Sequence, residues 1–330
     1  PIHNKFLDTT TYHTFTQRNK MNDLYQYDRV YQLIIGDKNK PDEAIFIGYD
    51  HESQEDRSLQ ISFDISKKTD VKKGGISSAV IDIHNLPFDV MRRLQSSEHL
   101  AFEFRAGYKD IGAKLLLSGQ VVQVSNKKSG TEWITTITAG EGFVELNQSK
   151  LRKGLPVGVT IEQAIEECRK LIPSLDRGIY SGVNKDRVLT DGYPLNGSVK
   201  QVLDDLCRAS RIEYRVDRNA LYISDESGIG TKDPEGEAYL LTQDTGLLDT
   251  PFWVQEDGTK LKKDKTRRQR LQFRCLLNAN IVPASIVRIE SPLITGVFKV
   301  NDCRYSGRYR NGEWVIDAYA SEILLEDIPR

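Results

Sequence analysis

The residue types best suited to chemistry in this 330-residue chain are four cysteines, five histidines and several adjacent carboxylates. Cysteine and histidine at short spacing hold transition metals, and a thiolate or hydroxyl beside a base acts as a nucleophile. The cysteines stand at 168, 207, 275 and 303, with no Cys-x-x-Cys and no short pairing. Such spacing reads as reduced thiols in a protein made in the cytosol. Cys168 and Cys207 fall within amphipathic segments, where a thiol acts as a small apolar side chain. His3, His13, His51, His84 and His99 show no metal-ligand spacing with one another or with a cysteine. His84 lies on the polar side of "VIDIH" and reads as an exposed or hydrogen-bonded strand residue.

Glu166–Glu167 and Asp204–Asp205 are carboxylate pairs on expected helices. Neighbours on a helix diverge by ~100°, so neither pair can share one proton as a catalytic dyad does. No Gly-x-Ser-x-Gly, P-loop or dinucleotide fingerprint is present, and no spacing suggests a Ser-His-Asp triad. "GIG" at 228–230 sits in a connector rich in turn residues and reads as a loop. The residues therefore assign no catalytic, cofactor-binding or metal site, and no enzyme activity.

The run "KLKKDKTRRQR", Lys260–Arg270, carries seven Lys or Arg and one Asp. Clustered cations neutralise phosphates, but single-strand binding sites interleave aromatics, which this run lacks. It reads first as a solvated loop, then as a contact with an acidic neighbouring subunit, and last as a DNA contact. Trp133 and Trp314 open strands after turns and read as core. Trp253, beside Pro251 and Phe252, is a candidate anchor for a subunit interface, where aromatics are enriched.

These residues must be positioned by elements whose type follows from periodicity. "LQISFDIS" places Leu59, Ile61, Phe63 and Ile65 on one face, and "AVIDIH", "HLAFEFRAGY" and "EWITTITA" alternate likewise. Period two describes half-buried antiparallel strands. Between them, "HNLPFDVMRRL" predicts a short helix over Pro87–Leu94 with Asn85 as its cap. From about residue 154 the period becomes helical. "VTIEQAIEECRKLI" and "GSVKQVLDDLCRAS" each carry an apolar stripe and a capping box, Thr160 with Gln163 and Ser198 with Gln201. A strand pair, "IEYRVDRNALYIS", completes a small α+β module. After a Gly- and Asp-rich connector, alternating strands return and run to "EWVIDAYASEI".

The closing strands repeat a pattern already used. "SGTEWITTITA" (129–139) and "NGEWVIDAYA" (311–320) both pass from a Gly turn through Glu-Trp into an alternating strand. They occupy late positions of two β regions, which suggests two similar β-barrels flanking the α+β module. The expected division is 1–27 as a polar arm, 28–153 as the first barrel, 154–235 as the module and 236–330 as the second barrel.

The order and wording of several segments resemble the hub proteins of phage tails and baseplates. These are "LQISFDISKK…AVIDIHNLPFDVMRRL", "LAFEFRAGYKDIGAKLLLSGQVVQV", "TGLLDTPFWVQEDG", "CLLNANIVPASIVRIES" and "GVFKVNDCRYSGRYRNGEWVIDAYA". The likeness covers roughly 30–325. It implies two tail-tube-like antiparallel β-barrels per chain and a homotrimer whose six barrels form a ring. Such a ring would join a sixfold tail tube, or a tube-initiator protein, to a threefold central spike among other baseplate proteins. It also implies a virion location and transient contact with DNA or a tape-measure protein in the lumen. A ring-forming module of a secretion or envelope complex is the alternative.

The bulk numbers fit either reading. With 46 basic and 47 acidic side chains the net charge is -1, which gives no global attraction to nucleic acid or anionic lipid. No apolar run approaches the ~20 residues of a membrane helix. The first 20 residues, with five Thr, lack the apolar core of a signal peptide and read as an arm.

Overall fold

Alternating side chains dominate the chain, and the computed structural model realises them as one long, mostly antiparallel sheet. The structure describes residues 28–37, 40, 43–68, 77–97, 100–217, 219–225, 238–255 and 269–323. The expected arm at 1–27, His3, His13, His99, the "GIG" turn and residues 260–268 of the basic run lie outside them.

The first β unit holds β1 (Arg29–Asp37), β2 (Ile45–Tyr49), β3 (Asp56–Arg57), β4 (Ile61–Lys68) and β5 (Ser78–His84). Helix α1 (Phe88–Ser96) follows, then β6 (Leu100–Tyr108), β7 (Gly112–Ser129) and β8 (Glu132–Gly140). The middle module runs through α2 (Phe143–Gln148), β9 (Lys150–Leu155), α3 (Ile161–Lys170), β10 (Asp176–Tyr180), β11 (Tyr193–Ser198), α4 (Val199–Ser210), β12 (Ile212–Asp217) and β13 (Ala220–Asp225). The second β unit holds β14 (Tyr239–Leu241), β15 (Phe252–Gln255), β16 (Gln269–Leu276), β17 (Ile286–Glu290), β18 (Thr295–Arg308) and β19 (Trp314–Glu322).

The two β units repeat one strand order. The first reads β4-β5-β8-β7-β6-β1, and the second reads β15-β16-β19-β18-β17-β14. The correspondence extends to single residues. Val121 faces Ala139 and Val300 faces Ala320, and each hairpin then shifts register by a bulge, before Gln123 and before Asp302. The N–H of Asn85 donates to Trp133 O at 2.7 Å, and that of Leu277 donates to Trp314 O at 3.0 Å. The units differ at their rims. β1 is antiparallel to β6 while β14 is parallel to β17, and α1 is replaced by turns between Leu277 and Ser285.

Strand β18 links the units because it is long enough to serve both. Thr295–Lys299 pair with β17, whereas Asp302–Arg308 pair with β4. One apolar core therefore spans both units, from Tyr31 to Ala320, and the module keeps its own core between α3, α4 and β12–β13. Among the described residues neither unit closes on itself through a strand pair. In the first unit a side chain bridges the gap instead. The Tyr31 hydroxyl donates to Leu59 O and accepts from Leu59 N–H, both at 2.8 Å, as a strand neighbour would. Tyr31 is fully buried, and burial pushes its phenol well above the usual range, so it stays a donor.

Helix α1 differs from expectation at its start. It begins at Phe88 with Pro87 at the cap position and no side-chain cap. Asn85 has φ 55° and spends its side chain on the neighbouring strand, its Oδ1 accepting from Trp133 N–H at 3.1 Å. The longer helices carry both expected capping boxes, Thr160 with Gln163 and Ser198 with Gln201.

Tyr31→Phe should remove the bridge and strand the half-buried N–H and C=O of Leu59. The expected cost is about 1–3 kcal/mol in denaturant unfolding, with faster amide exchange at Leu59. An unchanged midpoint and exchange rate would show the bridge to be idle.

Candidate assembly interface

A strand edge presents a row of N–H and C=O groups that must meet water or another strand. The joint between β4 and β18 satisfies one such row inside the chain, from Asp302 opposite Lys68 to Arg308 opposite Ser62. Its apolar side is closely packed. The Phe63 ring lies 5.0 Å from both Phe104 and Trp314. Gly307 stands opposite Phe63, where a Cβ would come within 2.6 Å of the Phe63 and Trp314 rings. The Arg29 guanidinium lies 5.7 Å from the Trp314 ring centre and donates to Arg308 O at 2.9 Å.

The polar side of the joint is a cleft of about 550 Å³. Arg304 holds Asp64 with Nε 2.9 Å from the carboxylate, and Arg274 holds Asp317 at 2.7 Å and Glu313 at 3.2 Å. Asp82 accepts from the Thr136 hydroxyl at 2.6 Å. Solvent-exposed ion pairs contribute only ~0–1 kcal/mol each. The backbone ladder and the aromatic packing therefore hold the joint, and the ion pairs leave its polar face charge-matched.

The module docks astride this joint through β12. Ile212, Tyr214 and Val216 point into the module core, while Glu213, Arg215 and Asp217 point at the sheet. Asp217 meets Lys67 of the first unit at 2.5 Å, with both side chains under one-tenth exposed. Glu213 lies 3.6 Å from Lys299 of the second unit, and Arg215 donates to Pro283 O. Burial pulls the Lys299 ammonium below its usual range, an effect opposed by Glu213. The N–H of Asn219 donates to Glu141 at 3.3 Å, and the Ser77 hydroxyl donates to Val216 O at 3.4 Å. One strand thus clamps residues from both β units.

The residues singled out for chemistry are dispersed. All four cysteines are buried free thiols, and burial pushes Cys168 and Cys303 up to about 12. Glu166 binds Arg169 while Glu167 binds Lys153, so the adjacent carboxylates face different partners. Asp204 holds Lys200 at 2.6 Å and Tyr214, and Asp205 reaches Arg208 at 3.6 Å. His84 is paired to Glu132 at 2.9 Å. Trp314 is core, whereas Trp133 is half-buried at the rim, 5.6 Å from Phe88. Trp253 lies on β15 and is 38% exposed. No group of three or more His, Cys, Asp and Glu converges as a metal site among the described residues. The sequence reading missed the charged face of β12 and its partners. Lys67 was the available signal, because it continues the inward phase of "ISFDISK".

Lys67→Ala should cost about 3–5 kcal/mol, since it leaves the Asp217 carboxylate buried without its ammonium partner. The double change Lys67→Met with Asp217→Leu should recover most of that loss in thermal unfolding; equal losses would contradict the clamp. Hydrogen bonding from Arg169 holds the Glu166 carboxyl below its ordinary 4.5. The stability it contributes is full above that value and is lost as pH falls through the lower folded value. Glu166→Gln should therefore flatten the acid limb of module stability below about pH 4.5, and an unaltered limb would exclude this cause.

Comparison with known proteins separates sequence from fold. No family model matches the sequence, and no curated protein matches it. Solved structures do match. A tail protein from Neisseria meningitidis superposes with TM-score 0.62 and 11% identity, over 91% of this chain and 99% of that one. The 43 kDa tail protein of prophage MuSo2 from Shewanella oneidensis gives TM-score 0.59 and 7% identity, over 88% and 98%. An E. coli type VI secretion system component, described as structurally similar to bacteriophage tail proteins, gives 0.54 and 11%, over 82% and 77%. At such identities the likeness is one of architecture: this chain shares its fold with these tail proteins and with the type VI component.

Proposed function

We propose that the chain is a structural tail hub: a homotrimer that matches a sixfold tail tube to a threefold spike. The observation carrying this reading is the repeated strand order of the two β units, joined edge to edge by β18 and β4. Three such chains supply six like units, and head-to-tail contacts whose rotation closes give a ring. Its sheet units repeat six times, while the module between them repeats three times. The ring therefore offers sixfold symmetry to a tube or tube-initiator protein and threefold symmetry to a spike. Other baseplate proteins would take its outer rim, within the virion tail.

The role is geometric and needs no catalytic residue. The sheet's apolar face is occupied by the shared core, so its polar face lines the passage. The matched pairs Arg304–Asp64 and Arg274–Asp317 leave that lining with little net charge, so DNA or a tape-measure protein passes without being held. The likeness to the type VI component supports a second reading, a ring component of a secretion apparatus.

Sedimentation of the purified chain should give three times its 37.5 kDa mass, and negative-stain images should show threefold rings that stack on tail tubes. Rings that ignore tail tubes but bind a secretion-system tube would favour the second reading. A monomer at every concentration, with spike protein present, would contradict both.

A further inference from the structure

The first β unit meets the module at the turn between β12 and β13. Ser66 stands opposite Ser78, and Ser78 stands opposite Gly140. One position further, this register aligns Lys67, Ser77 and Glu141 on three neighbouring segments ~4.8 Å apart. The Glu141 N–H donates to Ser77 O at 3.1 Å. All three residues reach the same turn of the module. Lys67 meets Asp217, the Ser77 hydroxyl donates to Val216 O, and the Glu141 carboxylate accepts from the Asn219 N–H. Lys67, Asp217 and Glu141 are buried, Glu141 completely. An amine and two carboxyl groups are thus brought to one turn that is shielded from water.

We propose that this turn is a modification site, where Lys67 Nζ condenses with Asp217 Cγ into an isopeptide bond and Glu141 carries the protons. The ion pair is the reactant. A proton passes from the Lys67 ammonium to Glu141, and the neutral amine attacks Asp217 Cγ, forming a carbon–nitrogen bond. One carbon–oxygen bond of Asp217 then breaks. Its oxygen leaves as water with two of the three ammonium protons, and Glu141 returns to its carboxylate. Ammonium and carboxylate enter, amide and one water emerge, and no oxidant or further reactant is needed. The bond joins residues 150 positions apart and fixes the module to the first β unit covalently.

Geometry and burial both favour this pair. Lys67 Nζ lies 2.5 Å from Asp217 Oδ1, which sets it roughly 3–3.5 Å from Cγ, the range of a near-attack contact. Groups held in such a contact react as if at effective molarities on the order of 10⁵–10⁸ M. Two buried ions are costly whereas an amide is neutral, so a dry site favours the product. Two other pairs lack one condition each. Lys299 and Glu213 share the same interface but lie 3.6 Å apart, and the Lys299 ammonium is also directed at Asp225 O at 3.5 Å. Lys153 and Glu167 touch, but Lys153 is half exposed, and water there keeps both ions solvated. The inference stands on the fold and does not depend on the hub reading.

The test is intact-mass spectrometry of the full chain, followed by tryptic peptide mapping. The folded protein should be lighter than its sequence mass by one water. Its digest should contain a branched peptide in which Lys67 is joined to Asp217, with no cleavage after Lys67. Lys67→Arg keeps the positive charge but cannot condense, and should show its full sequence mass. Glu141→Gln should form the bond at least tenfold more slowly than the unaltered chain. Full sequence mass in the folded, unaltered chain after days of incubation, with the Lys67 and Asp217 peptides recovered separately, would overturn the proposal. So would a water loss that maps elsewhere, such as a cyclic imide at Asp191–Gly192. A bond formed at the same rate in Glu141→Gln would overturn the proton-carrying step. Because the unaltered chain decides the main question, a variant that fails to fold leaves the test intact.

Discussion

An unpaired strand edge is the constraint on which this structure depends. Backbone groups along an edge meet water, a charged guard or another strand, and a long sheet must resolve this at both ends. Here the far half of β18 resolves it for β4, turning two sheet units into one. Among the described residues nothing else joins the units as extensively. The shared core, the Phe63–Trp314 contact and the requirement for glycine at 307 all follow from that single ladder.

The module follows from the same joint. β12 presents Glu213, Arg215 and Asp217 to groups from both units. Buried charges are costly to leave unpaired and give little net stability when paired, so their value lies in fixing one arrangement. A module clamped this way holds its orientation to the joint. In a hub, that rigidity would carry the threefold pattern of the modules to a spike.

Much of this was legible in the sequence because it is local. Alternation in "ISFDIS" and "EWITTITA" marked strands, and the capping boxes at Thr160 and Ser198 marked helices. The repeated Glu-Trp hairpin pointed to the duplicated unit. The joint itself was not legible, since Arg304 and Asp64 are 240 positions apart and each reads alone as an exposed charge. The face of β12 was missed for a related reason. Alternating charge looks the same whether it meets solvent or a second domain. Asn85 looked like a helix cap because its competing partner, the Trp133 N–H, lies on a distant strand. β9 escaped notice because its buried residues, Leu151 and Leu155, are four apart rather than two.

The central claim is that one polypeptide supplies two sheet units of like strand order, so that three copies would present six. A cryo-electron microscopy map of the assembled protein, at a resolution that separates strands ~4.7 Å apart, tests it most directly. The account predicts a ring of six like sheet units from three chains, in which the two units of one chain superpose after a rotation of about 60°. A map in which the chains meet through the α+β modules, with gaps between their sheets, would contradict it.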